Sequence, residues 1–269
     1  MKRALVFLAA ILIAAELHLP AQSGGPQPAS ESAPAIPVVV ELFTSEGCSS
    51  CPPADALLAR METAQPFKGV RIIAMEEHVD YWNQQGWVDP FSSLEWTDRQ
   101  QVYTTALHQN GPYTPQMVVN GRTQLVGSRG DQAVKAVQEA ESVPAPSVKL
   151  IAAAAGTPSE PHFTVSVGKL TQLSPGDSAE VWLAITESGL SSQVERGENA
   201  GRNLSHASVL RSLRRIGNAD GRAESESFQG EAWTKLKTNW KRENLTAVVF
   251  VQEKKSRRIL GAASMKIPS

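Results

Sequence analysis

The chain contains two cysteines, Cys48 and Cys51, with Ser49 and Ser50 between them. They follow an apolar, β-branched stretch and precede a run with helical spacing, so a strand is expected before the pair and a helix after it. A thiol at the start of a helix lies near unpaired backbone N–H groups and the positive end of the helix dipole. Both favour the thiolate, which is the reactive form of cysteine. The pair therefore predicts thiol–disulfide chemistry.

In that chemistry Cys48 is the predicted nucleophile and Cys51 the resolving thiol. The thiolate would attack a disulfide, and the second thiol would then release the mixed disulfide. An inert structural disulfide is one alternative, although a bridge across so short a loop restricts the unfolded chain little. A metal site is another, in which Cys48, Cys51 and His78 bind Cu(I) or Zn²⁺ with a fourth ligand still to be found. The exchange reaction requires no cofactor, and none is predicted.

The elements predicted up to residue 142 follow the order β-α-β-α-β-β-α. The predicted strands cover residues 37–43, 70–75, 116–119 and 122–126, and the predicted helices cover residues 51–64, 94–109 and 128–141. The first two strands are joined by a helix and should run parallel, so that they end at the same edge of the sheet. The residues expected near Cys48 at that edge are Glu76, Glu77, His78, Asp80, Tyr81 and Trp82.

These residues suggest two roles beside the cysteines. A carboxylate or imidazole could accept the proton of Cys51 during resolution; the candidates are Glu76, Glu77, His78 and Asp80. Aromatic side chains could form the floor of a substrate groove; the candidates are Tyr81, Trp82 and Trp87. Surface carboxylates, a structural histidine and aromatic core residues are the alternatives.

The order of elements, with the cysteine pair after the first strand, resembles the thioredoxin fold. Thr114 and Pro115 stand immediately before the predicted strand 116–119, where proteins of that fold carry a cis-proline beside the cysteines. The resemblance implies that Pro115 flanks the pair and that the backbone of Thr114 can pair with an extended peptide. A rigid turn is the alternative role for Pro115.

A closer resemblance is to the DUF1223 family of secreted bacterial proteins. It rests on six stretches of sequence: residues 40–55, 77–82, 86–87, 89–93, 113–121 and 201–206. The resemblance implies a thioredoxin-like domain and export, and it supplies no substrate. Gly47 stands where thioredoxins carry tryptophan, and Ser49-Ser50 differ from their intervening pair, so their redox potential does not transfer.

The start of the chain has the pattern of a secretory signal. Lys2 and Arg3 precede an apolar run from Ala4 to Ala15, and Ala21 is the predicted last residue before cleavage. An uncleaved anchor is the alternative. Residues 22–35 are rich in Ser, Gly and Pro and read as a disordered leader. The predicted location is periplasmic or extracellular, where disulfides persist.

Charge gives no reason to expect nucleic acid or an anionic membrane as a partner. Lysine and arginine number 26 and aspartate and glutamate 27, for a net charge of −1. The predicted partner is another exported protein that offers thiols or disulfides.

Residues 143–147 contain two prolines and are the predicted linker to a smaller β-rich domain at 148–269, for which we expect a sandwich-like arrangement. Its predicted strands cover residues 148–154, 162–167, 179–186, 247–252 and 259–266, with a helix at 205–215. Arg202, Asn203 and His206 are expected to contact the first domain or a ligand.

The leading function is thus disulfide exchange with another exported protein. The alternative is a peptide- or metal-binding module without turnover. A third reading gives the main function to the second domain, with the first as a redox switch.

Overall fold

Thirteen strands and three α-helices follow one another along residues 35–268, the part of the chain that the computed structural model describes. These residues belong to one compact unit. The predicted signal peptide at 1–21 and nearly all of the predicted leader at 22–35 lie outside the described residues.

The first seven elements have the predicted order β-α-β-α-β-β-α. The strands are Ile36–Thr44 (β1), Val70–His78 (β2), Gln116–Val119 (β3) and Thr123–Val126 (β4). The helices are Pro52–Ala64 (α1), Leu94–Ala106 (α2) and Gly130–Glu141 (α3). Strand β1 pairs in parallel with β2 and antiparallel with β3. Helix α1 begins with Pro52, whose missing N–H costs nothing in a first turn.

The remaining elements are strands. They are Val148–Thr157 (β5), Glu160–Gly168 (β6), Ala179–Glu187 (β7), Leu190–Gln193 (β8), Asn203–His206 (β9), Val209–Ala219 (β10), Glu226–Trp233 (β11), Leu245–Glu253 (β12) and Ile259–Lys266 (β13). The helix predicted at 205–215 is wrong, because β9 and β10 occupy those residues. Irregularities at 210–212 and 215–217 interrupt the pairing of β10, which obscures the two-residue alternation of a strand.

An eight-stranded mixed sheet has the order β13-β12-β7-β10-β2-β1-β3-β4. The predicted boundary at 143–147 lies between α3 and β5, yet strands from both sides of it form this one sheet. The join is a parallel pairing of Val209 in β10 with Glu76 in β2. Strands β11, β6 and β5 form a second sheet, and β8 pairs with β9.

Both faces of the large sheet are covered by apolar side chains. Successive residues of a strand point to opposite faces, so Val38, Val40 and Leu42 pack with α1 and α3. Val39, between them, packs on the other face with Trp96 of α2. The three-stranded sheet packs against β7 and β12 through a third apolar cluster.

The turn between β3 and β4 connects the two halves of the chain. Asn120 and Gly121 have φ angles of 46° and 62°, as a type I′ turn requires. The carbonyl of Asn120 accepts a hydrogen bond from the Ile259 N–H at 2.8 Å. A Cβ atom on Gly121 would lie 2.0 Å from the carbonyl oxygen of Arg257. Only glycine fits this close contact.

Candidate redox site and the buried polar cluster beside it

Cys48 and Cys51 are joined by a disulfide, with their Cα atoms 5.4 Å apart. Cys51 is the N-cap of α1, and its carbonyl accepts the N–H groups of Ala54 and Asp55 at 2.8 and 3.1 Å. The predicted strand–turn–helix setting of the pair is therefore present. Both cysteines are fully buried, at 0% exposure, although the two serines between them are exposed.

A turn from the second half of the chain, residues 194–202, is hydrogen-bonded to residues 45–51, the loop that carries the two cysteines. We call residues 45–51 the cysteine loop and residues 194–202 the covering segment. The side-chain amide of Asn199 donates to the backbone carbonyls of Glu46 and Cys48 at 2.8 and 3.0 Å. The Glu198 carboxylate accepts the N–H of Ser49 at 3.1 Å. Asn199 itself is fully buried. The covering segment is thus hydrogen-bonded to the backbone on both sides of Cys48.

Pro115 lies beside the first turn of α1. The Thr114–Pro115 peptide bond is cis, and the Gly127 N–H donates to the Pro115 carbonyl at 2.9 Å. A Cβ built on Gly127 would be 3.0 Å from the Cβ of Ala54 and 3.2 Å from that of Pro115. Pro115 and the helix turn that follows Cys51 therefore converge on Gly127.

Trp82 connects the cysteine loop to the loop that carries Pro115. Its indole N–H donates to the Thr114 hydroxyl at 2.8 Å. A Cβ on Gly47 would be 3.1 Å from the Trp82 Cβ, so the residue before Cys48 packs closely against this side chain. Of the predicted groove residues, Trp82 is the one that these contacts bring to the cysteines.

Asp55 is a buried acid one helical turn after Cys51. Its carboxylate accepts the Thr44 hydroxyl at 2.6 Å. Burial, together with the nearby charge of Glu76, raises the pKa of Asp55 to about 7. Asp55 lies in the first turn of α1, where the helix dipole favours a carboxylate, but burial outweighs that effect.

Glu76 lies between two buried histidine rings. One of its carboxylate oxygens is 2.8 Å from Nδ1 of His206 and 3.5 Å from Nε2 of His78. Burial alone would raise the pKa of Glu76, but hydrogen bonds and charge from the two histidines lower it to about 2. Burial alone would lower the pKa of His206, but hydrogen bonds to Glu46 and Glu76 raise it to about 9.

Each histidine meets a further carboxylate at its other ring nitrogen. Nδ1 of His78 is 2.7 Å from Asp89, and Nε2 of His206 is 3.1 Å from Glu46. The indole N–H of Trp87 donates to the second oxygen of Glu46 at 2.7 Å. The backbone N–H of Glu46 donates to Asp89 at 2.8 Å. These contacts fix the orientation of both rings. Through Glu46 they also connect the rings to the chain two residues before Cys48.

Strand β2 is three residues longer than predicted, so Glu76, Glu77 and His78 are buried in the sheet rather than lying in the loop after it. Because side chains alternate along a strand, Glu77 points to the face opposite Glu76 and His78. Its carboxylate lies 3.5 Å from Nε of Arg99, and burial raises its pKa well above the ordinary value.

Asp80 and Tyr81 are held by α2. The Asp80 carboxylate accepts the Thr97 hydroxyl at 2.6 Å, and the Tyr81 hydroxyl donates to Gln100 at 3.2 Å. Burial raises the pKa of Tyr81 to about 12. Both residues thus anchor the loop after β2.

A second buried polar cluster lies on the face of the large sheet to which Glu77 points. Nε and Nη2 of Arg99 donate to one oxygen of Glu41 at 2.7 and 2.5 Å, and the Tyr103 hydroxyl donates to the other. The amide of Gln252 in β12 donates to the Tyr103 oxygen at 2.8 Å. This cluster joins β1 and α2 to the second half of the chain.

The predicted ligand set of Cys48, Cys51 and His78 is not the group that the described residues bring together. The sulfurs are bonded to each other, and the group with ligand atoms in reach consists of Glu76, His78 and His206. Of Arg202, Asn203 and His206, the last makes the expected contact with the first half of the chain; Arg202 donates instead to Asn199, and Asn203 is exposed.

Sequence reasoning missed Glu46, Asp89 and Asn199. Glu46 and Asp89 stood inside the stretches that resemble the DUF1223 family, which was the available signal. Asn199 lies just outside such a stretch, and no local pattern identifies a residue that acts across the sheet.

The fold and site define a mixed α/β protein with a Cys-Ser-Ser-Cys disulfide at a helix start and a carboxylate–histidine cluster beside it. Residues 39–252 match the family DUF1223, described as a protein of unknown function, and the chain belongs to that family. No functionally curated protein matches the chain.

Two solved structures are similar over most of the chain. The crystal structure of protein AGR_C_4864 from Agrobacterium tumefaciens is 26% identical, with a TM-score of 0.64 over 88% of this chain and 97% of that one. HBP35 of Porphyromonas gingivalis is 16% identical, with a TM-score of 0.62 over 88% of this chain and 77% of that one. The second likeness concerns the fold alone.

Among the described helices, none has the length and apolar character to cross a membrane.

Proposed function

We propose that this protein exchanges disulfides with another exported protein, using Cys48 and Cys51 on a thioredoxin-like scaffold. The observation that carries the proposal is the position of the disulfide at the start of α1, with Pro115 beside that helix turn. The order of the first seven elements supports the same scaffold.

The reaction would proceed through a mixed disulfide between Cys48 and the partner. A thiolate of the partner attacks Cys48, the bond between the two cysteines breaks, and Cys51 leaves as a thiolate that takes up a proton. A second partner thiolate then displaces Cys48, so the partner loses two electrons and this pair gains them. Run in reverse, Cys48 attacks a partner disulfide and Cys51 resolves the intermediate.

Asp55 is the candidate for moving the proton of Cys51. It lies one turn further along α1, and neighbours four residues apart share a helix face. A carboxyl group with a pKa of about 7 can accept or donate a proton near neutral pH. Among the residues predicted for this role, Glu77 is excluded because it points to the face of the sheet opposite the one on which α1 packs.

Exchange requires the disulfide to become accessible, because neither cysteine is exposed, and we propose that movement of the covering segment exposes it. The contacts to be broken are the hydrogen bonds of Asn199 and Glu198 to the cysteine loop. Local openings of this kind are ordinary in folded proteins. Once open, the backbone of Thr114 is the proposed site for pairing with an extended peptide.

Export is proposed from two features together. The predicted signal at residues 1–21 directs the chain out of the cytoplasm. A disulfide persists in the oxidising compartments outside it.

A redox titration of the chain without residues 1–21 tests the proposal. Alkylation of Cys48 is followed against defined ratios of reduced to oxidised glutathione, with Cys51→Ser as a trap and Cys48→Ser as its control. A reversible transition, and a mixed disulfide that accumulates in Cys51→Ser alone, is the expected result. A pair that is neither reduced nor alkylated without denaturant would make the disulfide structural and overturn the proposal.

A further inference from the structure

Three potential ligand atoms converge in the buried cluster beside the cysteines. Those of Glu76, His78 and His206 all lie within 4.8 Å of one another, and all three residues are buried. Two imidazole nitrogens and one carboxylate form a ligand set that proteins use for Zn²⁺. The set combines β2 with β9, so it exists only when both halves of the chain are folded.

The two rings are oriented as metal-ligating histidines usually are. In such sites the ring nitrogen that does not face the metal is held by a carboxylate or a carbonyl. Here Asp89 holds Nδ1 of His78 at 2.7 Å, and Glu46 holds Nε2 of His206 at 3.1 Å. The opposite nitrogens of both rings face the same oxygen of Glu76.

One of these nitrogens has no hydrogen-bond partner. Nε2 of His78 is buried and makes no hydrogen bond in the described structure, and it lies 3.5 Å from the Glu76 oxygen. The corresponding distance from His206 is 2.8 Å. Two ligand atoms on a tetrahedral zinc ion, with bonds of about 2.0–2.1 Å, are about 3.3 Å apart. These two distances lie on either side of that value, and the distance between the two ring nitrogens is no more than 4.8 Å.

The charge of the surroundings suits a cation. Three carboxylates, those of Glu46, Glu76 and Asp89, surround the two rings, and all are buried. The protonated rings pair with these carboxylates in the ion-free protein, and a bound divalent ion would take over that pairing as the rings release their protons.

We propose that Glu76, His78 and His206 bind one divalent transition-metal ion, with Zn²⁺ the best fit to the ligand types. Glu46 and Asp89 position the two rings. The site is separate from the cysteine pair, and the proposal does not depend on disulfide exchange.

Metal binding to the oxidised protein is the test, because the disulfide then removes both thiolates as ligands. The chain without residues 1–21 is refolded with Zn²⁺ or Co²⁺, since His206 closes the site only on folding, and is then dialysed. One ion per chain is expected by metal analysis, with a visible Co²⁺ spectrum typical of nitrogen and oxygen ligands.

Matched variants locate the ion. His78→Gln and His206→Gln should each abolish retention of the ion after dialysis. His162→Gln, on β6 in another part of the chain, and the double change Cys48→Ser with Cys51→Ser should leave it unchanged. Asp89→Asn should weaken binding by about 10- to 100-fold, because the ring of His78 loses its orienting carboxylate.

Three results would overturn the proposal. They are no ion retained by the oxidised wild-type protein, retention by His78→Gln and His206→Gln as high as in the wild type, and loss of the ion in the variant without the two cysteines. If the glutamine variants do not fold, the Co²⁺ spectrum of the wild-type protein and the affinity of Asp89→Asn decide the question. An absent spectrum, or an unchanged affinity, would then count against the site.

Discussion

The side-chain amide of Asn199 donates to the backbone carbonyl of Cys48 at 3.0 Å, across 151 residues of sequence. A second bond from the same amide reaches the carbonyl of Glu46 at 2.8 Å. One side chain of the covering segment thus holds both sides of the residue that is proposed to react. Access to the disulfide should depend on it.

Asn199→Ala should speed the reduction of the disulfide by dithiothreitol. Each lost hydrogen bond is worth about 1 kcal/mol, and every 1.4 kcal/mol is tenfold in an equilibrium, so an increase of roughly tenfold or more is expected. The rate is measured by trapping free thiols over time. Asn203→Ala, an exposed residue of β9, is the control and should match the wild type. Equal rates in the two variants would show that the cysteine loop opens without this contact.

Asp55→Asn should stabilise the protein increasingly as the pH rises. The folded pKa of Asp55, about 7, is above its unfolded value of 3.8, chiefly because of burial. The stability that protonated Asp55 contributes is therefore fully present below pH 3.8 and is lost as the pH rises through the folded pKa of about 7. Asparagine does not ionise and can still accept the Thr44 hydroxyl.

Urea unfolding of both proteins at several pH values measures the effect. The gain from Asp55→Asn should grow between about pH 4 and pH 7, level off above that, and reach up to a few kcal/mol. A difference that does not vary with pH would contradict the raised pKa.

Arg99→Met should cost about 3–5 kcal/mol of unfolding free energy. The change leaves the Glu41 carboxylate buried without its cation, which is far more costly than losing an exposed pair. Lys135→Ala removes the exposed pair with Glu139 and should cost no more than about 0.5 kcal/mol. Denaturant unfolding compares the two, and similar costs would argue against the buried pair.

Gly121→Ala should destabilise the protein more than Gly176→Ala. Both glycines have positive φ, 62° and 74°, so both changes carry a backbone cost of about 1–2 kcal/mol. A Cβ at Gly176 meets nothing within 4 Å, whereas one at Gly121 meets the Arg257 carbonyl at 2.0 Å. The melting temperatures of the two variants give the comparison. Equal losses would mean that the turn can move away from Arg257.

Sequence patterns predicted the first half of the fold well, because its signals are local. The cysteine–proline start of α1 and the Asn120-Gly121 turn each depend on the chemistry of adjacent residues. Strand β10 was wrongly predicted as a helix for two reasons. Its irregular pairing conceals the two-residue alternation of a strand, and the arginines at 211, 214 and 215 have helical spacing.

The site was predicted only in part, because its polar contacts join distant residues. The burial of Asp55 and the position of Glu77 depend on which face of the sheet each residue meets. That Glu76 would meet His206 depends on the pairing of β2 with β10, which nothing within either strand specifies.

The covering segment also sets an order of events. Ribosomes make proteins from the N-terminus, so Cys48 and Cys51 emerge long before Asn199 and His206. If the chain is exported as proposed, an oxidant of that compartment can reach both thiols before the covering segment closes, whereas the folded chain buries them. On that proposal the redox state of the pair is set while the chain folds, and it changes afterwards only when the segment opens.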